Sequence, residues 1–145
     1  MESGTLPAIL RGTMSQENVE IVLAALQDFN ERRQVNPDLW HDDGRLTGPE
    51  GWPERGPWQG KSDVLRQFDR LFEDFSKFAI EDVQVIGHDG DWVAIAYRWH
   101  TRGIGSGIED LTDMTVAFRI RDGLFAEAHY RWTREQALEA AGLSE

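Results

Sequence analysis

Near residue 79 the spacing of apolar residues changes from helical to alternating, and that switch dictates the fold class. Upstream, Val19, Val22, Leu23, Leu26 and Phe29 recur every three or four residues. So do Val64, Leu65, Phe68, Leu71, Phe72 and Phe75. Each set makes one apolar stripe along a helix. Downstream, Val93, Ile95, Tyr97 and Trp99 alternate with Ala94, Ala96, Arg98, His100 and Arg102. Thr112, Met114, Val116, Phe118 and Ile120 alternate with Asp113, Thr115, Ala117, Arg119 and Arg121. Ala126, Ala128, Tyr130 and Trp132 alternate with Phe125, Glu127, His129 and Arg131. Alternation of this kind marks antiparallel strands with one face buried. Helices followed by such strands predict an α+β domain whose helices cover the apolar face of the sheet.

Local signals place the boundaries. Ser15 is a good N-cap for a first helix running to about residue 31. Asn36-Pro37 starts a short helix through Leu39 and Trp40, which Gly44 ends, and a brief strand follows at residues 45–47. Ser62 caps a third helix. Strands are predicted near 80–87, 92–102, 111–121 and 124–132. Thr133 with Gln136 forms a capping box for a last helix, and Gly142 suits its end. Between the last two strands, a two-residue turn at Asp122-Gly123 sets Phe118 opposite Glu127 and mixes the faces. A three-residue loop, 121–123, instead sets Phe118 opposite Ala126, Val116 opposite Ala128 and Asp113 opposite Arg131, and is the predicted register. Met14 reads as a second start, so residues 1–13 are expected to be an extension and 14–145 one domain.

Composition excludes several classes of function. At 145 residues one domain with a real core is expected. No cysteine means no disulfide, thiolate metal site or thiol nucleophile. A net charge of −11 disfavours a phosphate backbone as partner, so no nucleic acid is expected. No apolar run reaches the ~18 residues that a membrane span needs. The N-terminus lacks a secretory signal pattern, which leads to the expectation of a cytoplasmic protein.

Candidate chemistry is sparse. The segment LTGPEGWPERGPWQG, residues 46–60, is too rich in proline and glycine for a helix or long strand, yet carries Trp52 and Trp58. The polar groups expected on the inner sheet face are Tyr97, Asp110, Thr112 and Tyr130, with the indoles of Trp99 and Trp132. Asp110 is the inner-face carboxylate by parity. It is the candidate acid or base, with Tyr97 and Tyr130 orienting a carbonyl or hydroxyl. His41, Asp42 and Asp43 match no standard metal spacing, and GIGSG at 103–107 reads as a hairpin turn, not a phosphate cradle. No metal and no cofactor are expected. The outer face concentrates Arg98, His100, Arg102, Arg119, Arg121 and Arg131 around Phe125, a mixed surface that fits a homodimer contact.

The segments MSQENVEIVLAALQDFNER, GWPERGPWQGKSDVLRQF and RDGLFAEAHYRWTREQALEAAGL resemble the SnoaL-like family of the nuclear-transport-factor-2-like superfamily, in order and spacing, over residues 14–145. Its relatives include ketosteroid isomerase and polyketide cyclases. The resemblance implies a cone-shaped α+β barrel. In it a curved antiparallel sheet wraps around three N-terminal helices, with a short C-terminal helix and a pocket inside. It implies a pocket lined by Leu46, Trp58, Trp99, Val116, Phe118, Ala128 and Trp132, taking an apolar small molecule. The isomerase's base falls on Gly48, its oxyanion aspartic acid on Val116 and its oxyanion tyrosine on Ala25, none of which can do that chemistry. Two functions stay open. One is a cofactor-independent acid/base enzyme of isomerase, cyclase or lyase type, acting on an apolar cyclic or carbonyl compound. The other is a non-catalytic ligand-binding or dimeric interaction module with a vestigial pocket.

Overall fold

The computed structural model describes residues 8–52 and 56–143, with side chains from Ser15 onward. The elements are α1 (Ala8–Arg32), a 3-10 turn (Pro37–Leu39), β1 (Trp40–Thr47), β2 (Trp58–Gln59), α2 (Lys61–Phe72), β3 (Phe75–Asp89), β4 (Trp92–Gly103), β5 (Glu109–Arg121), β6 (Leu124–Arg131) and α3 (Arg134–Ala140). One six-stranded sheet runs in the order β2-β1-β6-β5-β4-β3. The meander β3 to β6 is antiparallel, and β1 joins β6 in parallel, so the sheet is mixed. Three register shifts along β3 bend that strand; α1 packs against β3 and β4, and α2 against β1 and β2.

α1 begins earlier than expected. It runs through Ser15, which is 1% exposed and is not its cap. The Ser15 hydroxyl instead meets His88 Nδ1 at 2.8 Å. Of the supposed extension, residues 8–13 belong to this helix, and residues 1–7 lie outside the described residues. Val19, Val22 and Phe29 are buried as predicted, but Leu23 is exposed. α1 also closes the open edge of β3. Asn30 Nδ2 donates to the Ile80 carbonyl and Asn30 Oδ1 accepts from the Ile80 N–H, each at 2.8 Å. One side chain thus satisfies the edge backbone that a further strand would otherwise take.

Asn36 caps the 3-10 turn as predicted, accepting from the Asp38 N–H. Trp40 and Gly44 are not in a helix; both sit in β1. Gly44 is needed there because a Cβ would lie 2.8 Å from the Trp40 ring. α2 starts after Gly60, at φ +95°, and Ser62 lies inside the helix, not at its cap. Phe75 opens β3 and is no longer helical.

The predicted loop between β5 and β6 is overturned. Arg121 pairs with Leu124, so the turn has two residues, Asp122 and Gly123, both with positive φ as a type I′ turn requires. The mixing of faces that argued against it is removed by a bulge. Ile120 pairs with Phe125 but Arg119 pairs with Glu127, leaving Ala126 as the extra residue. Phe118 therefore faces Ala128, Val116 faces Tyr130, and Thr115, not Asp113, faces Arg131. The bulge also turns Phe125 inward. Expected on the outer face, Phe125 is 5% exposed and stacks on Trp40 at 5.6 Å.

α3 is capped as predicted. The Thr133 hydroxyl accepts from the Gln136 N–H, and Gly142 closes the helix with Leu143 N–H bonded to the Leu138 carbonyl. The helix packs on the outer face, where Gly87, Ala94 and Ala117 leave it room. At Gly87 a Cβ would meet Leu138 at 2.9 Å.

Candidate ligand cavity

A cavity of about 580 Å³ opens between α1, α2 and the inner sheet face. α1 contributes Ala25, Leu26 and Phe29, and α2 contributes Gln67, Phe68, Leu71 and Phe72. β4 and β5 supply Tyr97, Trp99, Thr112, Met114 and Phe118. Phe125, Tyr130, Trp40 and Trp52 complete the walls. The rings hold one another: Phe72 to Phe78 at 4.8 Å, Phe78 to Trp99 at 5.7 Å, Phe118 to Phe125 at 5.0 Å. Offset and tilted contacts at these separations are favourable, so the walls are stiff without a ligand.

The proline-rich segment supplies one wall through Trp52, not Trp58. Trp52 stacks on Tyr130 at 5.8 Å and lines the cavity. Trp58 pairs with Leu46 in β2 and packs against the core outside the cavity lining. Gly48, where the isomerase's base falls, lies under Trp52, and a Cβ there would sit 2.5 Å from its ring. Trp52 thus takes the space that a carboxylate on Gly48 would need. The Trp132 indole N–H donates to the Glu50 carbonyl at 2.6 Å and holds this segment in place.

Of the expected lining, Trp99, Phe118 and Trp132 face the cavity. Leu46, Val116 and Ala128 are fully or almost fully buried behind it, as core rather than lining. Tyr97 and Tyr130 both line it, and burial pushes both hydroxyls well above the usual phenol pKa. Each stays protonated, so each is a hydrogen-bond donor and not a base. Asp110 does not join them. It is exposed on β5 opposite Thr101 of β4, and accepts from the Thr112 hydroxyl at 3.2 Å. Its link to the cavity runs through Thr112, which is a lining residue. Two carboxylates that line the cavity, Glu73 and Asp74, are exposed at its rim.

Several lining residues, among them Leu26, Trp40 and Gln67, were not expected there. Gln67 is 6% exposed, and its Oε1 is buried with no partner among the described residues. The signal was present in the sequence, because Gln67 sits in the stripe of Val64, Phe68 and Leu71, three residues after the first and four before the last.

The outer face is less cationic than its arginines suggested. Arg98 meets Asp82 and Asp113, Arg119 meets Asp91 and Glu127, and Arg121 meets Asp43. His41 bonds the Arg121 carbonyl from β1. His100 lies between Glu81 and Glu109, at 2.9 Å from each, and hydrogen bonds to both raise its pKa.

His129 sits deeper, 9% exposed, and stacks near Trp92. Burial lowers its pKa, against the pull of Glu127. In the neutral form Nε2 donates to Glu127 at 2.7 Å, and Nδ1 accepts from the Thr47 hydroxyl at 2.7 Å. Burial raises the Glu127 pKa, but hydrogen bonds from His129 and Arg119 outweigh it and the net shift is downward.

A depressed histidine pKa means the unfolded chain binds the proton first as pH falls. The stability contributed by neutral His129 is therefore full above its unfolded pKa of about 6.5 and is lost as pH falls through the folded value. His100 acts with the opposite sign. Between pH 7.5 and 5 the His129→Gln variant should lose less stability than the wild-type protein, because the His129 contribution is removed while the opposing one of His100 remains. Urea midpoints at the two pH values check it, and equal losses in both proteins would remove His129 as the sensor.

The comparisons agree on the fold. The family model described as SnoaL-like domain matches residues 23–128. Bal32a, from a soil-derived mobile gene cassette, superimposes with a TM-score of 0.70 at 15% identity, covering 88% of this chain and 97% of its own. TerC, co-crystallized with polyporic acid, gives 0.65 at 17% identity, covering 84% and 98%. A protein of ketosteroid isomerase-like fold from Catenulispora acidiphila, in complex with trimethylamine, gives 0.63 at 17%, covering 86% and 93%. No curated protein matches this chain.

Proposed function

The chain belongs to the SnoaL-like family, and from that premise we propose that it binds a small, largely apolar, aromatic molecule inside the cone. The observation that carries this reading is the cavity itself: about 580 Å³, walled by stacked rings, with the Tyr97, Tyr130 and Gln67 polar groups bordering it. That volume lies within the ~300–1,000 Å³ range of small-molecule sites. An interior left open at this size argues against a vestigial pocket, which would be filled by side chains. The solved neighbours with polyporic acid and trimethylamine support small molecules as the ligand type.

The finer reading is an acid/base enzyme of isomerase, cyclase or lyase type, in which the Tyr97 and Tyr130 hydroxyls polarise a carbonyl. Asp110 would act through Thr112. The hydrogen bond between those two residues favours it. Asp110→Asn should then abolish turnover and spare binding, whereas unchanged turnover removes Asp110 from the mechanism.

The chain is further proposed to form a homodimer through the outer sheet face. Leu111 on that face is 53% exposed, beside Ile104 and Ile108 of the adjoining turn at 61% and 68%. Apolar residues this exposed and this close together are what a contact surface would cover. Native mass spectrometry of freshly purified protein, beside the denatured sample, tests ligand and dimer together. A dimer carrying a small extra mass is expected. A bare monomer at micromolar concentration overturns the dimer.

A further inference from the structure

The polar group in this cavity that the fold does not explain is the side chain of Gln67. It lies in the middle of α2, on the buried face with Val64 and Phe68, and lines the cavity. Its Oε1 is buried without a partner, and its Nε2 makes no hydrogen bond either among the described residues. An unpartnered amide among aromatic walls is costly to the empty protein, and a leucine would fit the stripe better. Oε1 is covered in the empty protein, so a partner from outside the chain meets it when the side chain turns its amide edge toward the cavity that the residue lines.

The carboxamide states what that partner must offer. It presents an acceptor and a donor side by side in one plane, so its complement is an edge with a donor beside an acceptor, also in one plane. The rest of the cavity adds two conditions. The walls are rings, which favour a flat aromatic body. The cation that lines it, Arg70, is exposed at the rim, so the buried edge is best neutral.

We propose that Gln67 is the specificity-determining residue of the cavity, pairing through two parallel hydrogen bonds with the edge of a planar, neutral aromatic compound that carries an N–H or O–H donor beside a carbonyl, as a cyclic amide does. This inference rests on the small-molecule reading above and names the ligand class for it. The Tyr97 and Tyr130 hydroxyls, held protonated by burial, then serve acceptors elsewhere on the same ligand.

The test uses 2-quinolone and N-methyl-2-quinolone, which share a ring system and a carbonyl but differ in the N–H donor. Isothermal titration should find 2-quinolone bound at least tenfold more tightly than its methylated partner by the wild-type chain. Gln67→Leu should bind both compounds equally, near the wild-type affinity for the methylated one. Its thermal midpoint without ligand should equal or exceed that of the wild type, and Gln67→Met provides a second variant of nearly the same shape. Equal wild-type affinities, discrimination that survives in Gln67→Leu, or a markedly lower midpoint in both variants would overturn the role of Gln67 and leave the cavity reading standing. Failure of both compounds to bind at millimolar concentration would overturn this inference, and a small extra mass in the native spectrum would still keep the cavity reading standing.

Discussion

Trp40→Ala should lower the unfolding free energy by about 3–5 kcal/mol, the usual cost of truncating a buried aromatic side chain to alanine. Trp40 is 5% exposed and connects three elements. Its ring stacks on Phe125 of β6 at 5.6 Å and meets Phe68 of α2 edge-on at 5.9 Å. Gly44 lies beneath it. At the backbone, Trp40 pairs with Phe125 at the start of the parallel β1–β6 ladder. Because Trp40 also lines the cavity, the hole left by its ring merges with existing space, and the walls cannot collapse to fill it. Domains of this size have about 5–15 kcal/mol in total, so the variant should be near its folding threshold. Urea unfolding followed by circular dichroism measures the loss. A loss below about 1 kcal/mol, the scale of an ordinary surface substitution, would show that β1 is held by other contacts.

The second large effect is a contrast between two alanines. Ala25 on α1 borders the cavity, and an indole there projects into space. Ala128 on β6 is fully buried, faces Phe118 across the ladder and lies behind the cavity wall. Ala25→Trp should weaken 2-quinolone binding by about 100-fold, equivalent to about 2.8 kcal/mol, while stability shifts by less than about 1 kcal/mol. Ala128→Trp should leave no properly folded protein or cost at least about 1–3 kcal/mol, because overpacking displaces neighbours. Comparable damage from both substitutions would mean that the space beside Ala25 is not open in solution.

Much of this fold was legible in the chain. Along β4 and β5 the inner face reads directly as Val93, Ile95, Tyr97 and Trp99 against Met114, Val116, Phe118 and Ile120. The parity holds because no bulge interrupts that pairing. On β6 it fails at Ala126, where one unpaired residue reverses the facing of Leu124 and Phe125 relative to Ala128 and Tyr130. Alternation alone shows two acceptable registers there. The choice between them depends on whether Phe125 finds a pocket against Trp40, and Trp40 is 85 residues away.

The site divides in the same way. Tyr97, Tyr130, Trp99, Phe118 and Trp132 were readable from parity as large inner-face residues, and the family resemblance supplied the expectation of a pocket before them. Trp58 was expected in the lining and Trp52 lies there instead; both belong to the same broken segment, and Gly48 leaves room for the Trp52 ring. Asp110 was placed inward by parity, but at the strand end its side chain lies in the open. Gln67 was passed over because a glutamine on a helix is ordinarily a surface residue, although its place in the α2 stripe pointed inward.

By itself the sequence determined the two long helices, the order of the four meander strands, the capping of α3 and the inner face of β4 and β5. Periodicity and capping are local energies, written within a few residues of one another. Tertiary structure alone decided the parallel pairing of β1, the bulge at Ala126, the cavity and the isolation of Gln67. A cavity is a volume left between α1, α2 and the sheet, and an orphaned amide is defined by partners that do not come. Both depend on distances between residues far apart in the chain, which no local spacing encodes.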